Sequence, residues 1–132
     1  MDEVVDTYAL SPMQQGMLFH AVSASDRGVD IEQIIVSLAE PLDLDRFADA
    51  WRAIVARHPI LRTRFRWSDV AEPCQEVLAR AEIPTAVADW QTLPPEAAEA
   101  RFAAHLATDR ATDFDLARAP MMRLFVARLP PG

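Results

Sequence analysis

The chain contains no lysine: all thirteen of its basic residues are arginine. That excludes Schiff-base chemistry and a phosphate-loop lysine from residues 1–132. Its single cysteine, Cys74, can form no internal disulfide and cannot build a zinc site. A reducing, cytoplasmic setting is the default expectation. Glycine is scarce, with three in 132 residues, too few for a glycine-rich phosphate cradle. No apolar run reaches the roughly 18 to 20 residues that a membrane span needs, so no membrane partner is expected. The N-terminus reads MDEVVD, without the basic stretch of a secretory signal. The net charge of −7 argues against a nucleic-acid surface.

What is present reads as one small folded domain. Hydrophobic residues make up 51% and charged residues 25%, a globular composition. "SPMQ" at 11–14 predicts a helix over 11–22: Ser11 fits the N-cap, Pro12 the first helical position, and Gln14 closes a capping box. Met13, Met17 and Ala21 share one side of that helix, Leu18 and Val22 another, and Phe19 points a third way. A helix apolar nearly all round is expected to be buried. Gly16 costs roughly 1 kcal/mol of helix propensity, so a close approach by another group is expected there. After a loop at 23–30, "IEQIIVSLA" (31–39) reads as a strand ended by Pro41.

Asp43 then caps a second helix running to about Arg57. Leu44, Phe47, Ala48, Trp51, Ile54 and Val55 form its apolar stripe, opposite Asp45, Arg46, Asp49 and Arg52. His58 extends the stripe and Pro59 stops the helix. "RHPILRTRFRW" (57–67) follows as a strand. Period-two alternation puts Leu61, Thr63, Phe65 and Trp67 on one face and Arg62, Arg64 and Arg66 on the other. Short strands are predicted at 74–79 and 84–89, a third helix from Pro94 to about Thr112, and a last strand at 121–129. Pro130-Pro131-Gly132 is a turn signal that normally leads to another strand. The order of elements predicts an α+β fold with a mixed sheet packed by helices, the sheet lacking a member.

Catalytic motifs are missing. The three histidines show no metal-ligand spacing, there is no G-x-S-x-G nucleophile elbow, and Asp113 and Asp115 read as turn residues around Phe114. No metal or catalytic residue is therefore assigned. His58 reads as a hydrogen-bonded core histidine, His105 as a surface or helix-pair residue, and His20 as packing near a cavity. Arg64 and Arg66 read as a solvated strand face. Arg62, next to a buried helix end, needs a carboxylate partner if it is shielded from water. By motif alone the chain is a binding or structural domain.

Three segments in order resemble a known family. "YALSPMQQGMLFH" (8–20), "RHPILRTRF" (57–65) and "DFDLARAPMMR" (113–123) are similar to successive signatures of the condensation domains of nonribosomal peptide synthetases. The resemblance implies an N-terminal lobe like that of chloramphenicol acetyltransferase, two such lobes enclosing a tunnel. It implies peptide-bond formation between thioesters that arrive on the phosphopantetheine of upstream and downstream peptidyl carrier proteins, with no cofactor bound directly. The family's catalytic H-H-x-x-x-D-G does not occur in residues 1–132. The chain is therefore expected to be a partial condensation domain, inactive by itself and prone to self-association. Met13, Gly16, Met17 and His20 are the implied tunnel-lining residues. Arg62 matches the arginine that braces the catalytic loop through the motif's aspartate. In its absence Arg62 is expected to find a substitute carboxylate, an intermolecular partner or water. "SPMQQGMLFH", with glycine after its second glutamine and "LFH" at its end, looks more like condensation domains that accept a D-configured donor. A non-catalytic scaffolding lobe, or a related acyltransferase or epimerisation domain, are the competing readings.

Overall fold

The computed structural model describes residues 3–23 and 31–131. Five strands and three helices are present among them: β1 (Val4–Ala9), α1 (Pro12–Ser23), α2 (Leu44–Arg57), β2 (Thr63–Arg66), β3 (Cys74–Leu78), β4 (Thr85–Asp89), α3 (Pro95–Arg110) and β5 (Leu124–Arg128). A short 3-10 helix, Pro59–Arg62, joins α2 to β2. The α+β class is as expected. The mixture of parallel and antiparallel pairing is also present, but it is divided between two sheets. β1, β3 and β2 form an antiparallel sheet with β3 in the middle, and β4 and β5 form a parallel pair.

α2 starts as predicted. Asp43 Oδ1 accepts from the backbone N–H groups of Asp45 and Arg46, each at 3.1 Å, satisfying two of the orphan donors at a helix start. Val55 is the buried centre of its stripe, and Phe47 meets Trp51 edge-on, with ring centroids 6.3 Å apart. His58 is not a core residue. Pro59 biases it to the extended backbone it adopts (φ −112°, ψ 105°), which takes it off the helical stripe and leaves it exposed. Thr63, by contrast, is 1% exposed, and its hydroxyl donates to Pro59 O at 2.9 Å, tying off the 3-10 helix where β2 begins.

β4, α3 and β5 make a βαβ unit, the connection that parallel strands require. Trp90 and Ala98 are buried at its centre. Phe125 of β5 lies 5.7 Å from Trp90 and stacks on His105 of α3 at 3.7 Å between centroids. His105 is thus a helix-to-sheet contact, which the sequence had suggested only as a surface or helix-pair residue.

Two segments differ from expectation. β1 was not anticipated. It pairs with β3 through a register shift between Val4 and Asp6, and its residues are exposed, so no buried face announces it. Residues 31–39, expected as a strand, join no ladder among the described residues. Strand propensity reports fit to a neighbouring strand more than an intrinsic backbone preference, and among the described residues no strand pairs with this segment. It is held by a side chain instead. Gln33 Nε2 donates to Leu106 O and to Asp109 Oδ2, both at 2.9 Å, and Gln33 Oε1 accepts from Arg110 at 3.0 Å.

Asp109 is the hub of that corner. Arg123 Nε donates to its Oδ1 at 2.6 Å. Arg123 Nη2 donates to the carbonyls of Asp109 and Thr112, each at 2.7 Å. The same guanidinium lies 4.3 Å over the ring of Phe114, a cation–π contact. Burial by itself raises the Asp109 carboxyl. The hydrogen bonds from Gln33 and Arg123, and the charges of Arg123 and His105, outweigh it and hold the group below its ordinary value of 3.8. A depressed carboxylate contributes stability above its unfolded value, and that contribution is lost as pH falls through the folded value. Melting temperatures of the wild type and of Asp109→Asn should therefore differ most near neutral pH. They should converge as the pH drops below about 4, and a gap that stays constant down to pH 2 would contradict the ion pair.

Candidate functional site

The signature-bearing helix α1 is built as its sequence dictates. Ser11 Oγ accepts from Gln14 N at 3.2 Å, and Ser11 N donates to Gln14 Oε1 at 2.9 Å, a reciprocal capping box. The Gln14 side chain does a second job. Its amide pairs with that of Gln75 on β3: Gln14 Nε2 donates to Gln75 Oε1 at 3.1 Å, and Gln75 Nε2 donates back to Gln14 Oε1 at 2.9 Å. Gln75 Nε2 also donates to Ala9 O at 3.1 Å. Gln75 is 4% exposed, and its bonds satisfy a buried amide that would otherwise cost about 1 to 3 kcal/mol. Sequence reasoning missed Gln75. The one signal available was a glutamine inside a predicted strand.

The expectation that α1 is buried on all sides is corrected. Among its residues only Leu18 is buried. Met13 is 77% exposed, Met17 44% and Phe19 70%. Gly16 has no close neighbour either: a Cβ added there would meet nothing within 4 Å. Met13, Gly16, Met17 and His20 do fall at helical spacing (i, i+3, i+4, i+7), so they form one stripe. All four are exposed.

Arg62 is the last residue of the 3-10 helix rather than a member of the strand. Its guanidinium is met by backbone carbonyls, which were not among the substitute carboxylate, intermolecular partner or water expected for it. Nε donates to Val55 O at 3.0 Å, Nη1 to Leu78 O at 2.7 Å and Nη2 to Ala56 O at 3.4 Å. Carbonyls at the end of α2 lack helical partners and carry the negative end of the helix dipole. A cation placed there is satisfied without a carboxylate.

Arg64 and Arg66 are also more than a solvated face. Both reach Glu76 of β3, Arg64 Nε to Oε1 at 2.9 Å and Arg66 Nη1 to Oε2 at 3.4 Å. The Glu76 side chain is 8% exposed and that of Arg64 22%. Arg64 sits directly opposite Glu76 in the β2–β3 register, which puts both on one sheet face. Arg66 is held above its ordinary value first by its hydrogen bond to Glu76, then by the charge of Asp69. Sequence reading left Glu76 unassigned, because cross-strand register is not visible before the turn between the strands is known. Asp115 is a turn residue as expected, its Oδ1 accepting from Ala117 N at 3.0 Å.

With this geometry in place, comparison with known proteins identifies the family. A condensation-domain family model matches residues 4–130. The chain belongs to the condensation-domain family. It is 38% identical over 124 residues to a linear gramicidin synthase polypeptide of Brevibacillus parabrevis, covering 94% of this chain and 2% of that protein. It is 33% identical over 123 residues to tyrocidine synthase 2 of the same organism, covering 93% of this chain and 3% of that one. The fold is shared with the condensation domain of the monacolin K polyketide synthase MokA (TM-score 0.70, 20% identity, 96% of this chain and 28% of that one). It is shared equally with the starter condensation domain of rhizomide synthetase RzmA (TM-score 0.69, 21% identity, 96% and 31%). The chloramphenicol-acetyltransferase-like fold implied by the three motifs is therefore the observed one. The chain spans 2–3% of these curated relatives and about a third or less of the solved domains. No helix among the described residues is long and apolar enough to cross a membrane.

Arg62 supplies the test of this site's architecture. Arg62→Ala strips donors from three carbonyls, so it should destabilise the chain by about 2 kcal/mol, the scale of hydrogen bonds from a charged group. Arg62→Lys should recover only part, since an ammonium lacks the planar fork. Denaturant unfolding of the three proteins decides it. A loss within about 0.5 kcal/mol, typical of a surface site, would show that these bonds carry no stability.

Proposed function

We propose that this chain is part of the N-terminal lobe of a condensation domain that forms peptide bonds between carrier-protein-bound donor and acceptor thioesters. The observation that carries the reading is the family match over residues 4–130. The exposed stripe of α1 supports it. Met13, Gly16, Met17 and His20 line the substrate tunnel in this reading, and they are apolar, small or weakly basic rather than charged. Such a wall suits a neutral acyl chain tethered to a phosphopantetheine arm. The donor is of D configuration in this reading, following the "SPMQQGMLFH" resemblance.

Arg62 braces the catalytic loop. A guanidinium has five N–H donors, and the carbonyls of Val55, Ala56 and Leu78 take three of them. The two that remain suit a loop carboxylate, while the carbonyls fix the fork in advance. Carrier proteins are the partners on both sides of the tunnel, and the reaction takes place in the cytoplasm.

General-base help and the positioning of two tethered substrates are separate large contributions to such a reaction, and residues 1–132 hold no H-H-x-x-x-D-G to provide the base. The 132-residue chain, given loaded carrier proteins, should yield no peptide above background. Grafted in place of the matching 124-residue segment of the linear gramicidin synthase polypeptide, it should restore peptide formation. Turnover by the chain alone would overturn the reading and make His20 the first candidate base. A graft that folds but stays silent would overturn it too. Should the large graft misfold, exchanging residues 11–23 alone poses the same question of the tunnel wall.

A further inference from the structure

We propose that Gln75 of β3, through its amide pair with Gln14, is the positioning residue that sets the pose of α1. α1 has little else to hold it. Leu18 is its single buried residue, and its large side chains Met13, Met17, Phe19 and Val22 are 44–77% exposed. Non-directional apolar contact through one leucine leaves both the rotation of a helix about its axis and its sliding along the sheet weakly determined. A pair of antiparallel amide hydrogen bonds fixes both, because each bond is directional and weakens steeply when misaligned.

The bonds are placed to do this. Gln75 sits in the middle strand, opposite Tyr8 of β1 and Phe65 of β2, so its backbone is clamped on both sides. Its side chain reaches Ala9 O at 3.1 Å, two residues before α1 is capped at Ser11, and Gln14 in the first turn at 2.9 and 3.1 Å. Gln14 Oε1 in turn receives Ser11 N at 2.9 Å. The strand end, the N-cap and the first turn thus converge on one buried amide. Gln14 and Met17 are one turn apart, and Gln14 is adjacent to Met13, so a rotation that breaks the pair also swings the exposed stripe. If that stripe is the tunnel wall, as the functional reading holds, Gln75 governs substrate binding without touching substrate.

Gln75→Met keeps the length and removes the amide; Gln14→Glu keeps the capping-box acceptor for Ser11 N and removes the donor to Gln75 Oε1. Amide hydrogen exchange on the 132-residue chain reads the effect residue by residue. In either variant, protection of α1 amides from Met17 to Ala21 should fall by about tenfold, equivalent to ~1.4 kcal/mol. Protection in β2 and β3 should stay within about twofold. Unchanged α1 protection, or an equal loss throughout the sheet, would overturn the proposal. If Gln75→Met fails to fold, Gln14→Glu decides alone. In the gramicidin synthase graft, the same changes should raise KM for the carrier-bound donor by about tenfold and leave kcat within about twofold. A purely structural role would lower the active fraction and leave KM unmoved. A graft silent even with Gln75 intact counts against the functional reading only, and the exchange result still judges the positioning role.

Discussion

Two adjacent polar side chains, Gln75 and Glu76, are buried on the middle strand of the antiparallel sheet, and much of the structure follows from satisfying them. Burying such groups without partners costs several kcal/mol for the amide and far more for the carboxylate. Successive residues of a strand face opposite ways, so the two demands are answered on opposite faces. Gln75 draws in α1 and the end of β1. Glu76 draws in Arg64 and Arg66 of β2. Two residues further on, Leu78 O receives Arg62, which also closes the end of α2. One short strand therefore organises a helix N-terminus, a helix C-terminus and a neighbouring strand. No buried side-chain polar atom among the described residues is left without a hydrogen bond.

The arginines of "LRTRFR" divide between two kinds of partner. Arg64 and Arg66 share one carboxylate across the strand pair, while Arg62 serves backbone carbonyls. The difference is one of backbone form. Arg62 belongs to a 3-10 turn packed against the end of α2, where unpaired carbonyls concentrate. Arg64 and Arg66 belong to a true strand whose register presents Glu76. A carboxylate was expected for Arg62 on the argument that a shielded cation needs an anion. That argument overlooked helix ends, which offer several partial negative charges in one place. Arginine suits both settings because its charge is delocalised over a fork of five donors, and lysine, absent from the chain, suits neither as well.

Local signals made part of this legible in advance. The caps of α1 and α2, the apolar stripe of α2, the proline stop at Pro59 and the approximate spans of β3, β4, α3 and β5 are written in contiguous residues. What stayed hidden depends on register or on neighbours. β1 has no buried face to reveal its period. Residues 31–39 have the composition of a strand but pair with no strand among the described residues. His58 sits in phase with a helix that has already ended. The Gln14–Gln75 pair joins residues 61 positions apart, and nothing in either local sequence points to the other. The family motifs located the right regions, 8–20 and 57–65, yet the residues that secure them, Gln75 and Glu76, lie outside both.

The distribution of apolar surface shows why the polar bonds matter. α1 and residues 34–38 expose Met13, Phe19, Ile34, Val36 and Leu38 at 61–89%, whereas among the described residues the buried apolar core is confined to seven side chains. A small core of this kind cannot by itself hold a helix rigid against a sheet, and specific polar bonds must supply the missing definition. In this chain they do so where rigidity has most value. The capping box and amide pair fix the first turn of α1, the Arg62 fork fixes the junction of α2 and β2, and the Asp109–Arg123 pair fixes α3 against the approach to β5. Each is a polar clamp at the end of an element, and in α1 it orients the helix while leaving Met13, Met17 and Phe19 exposed.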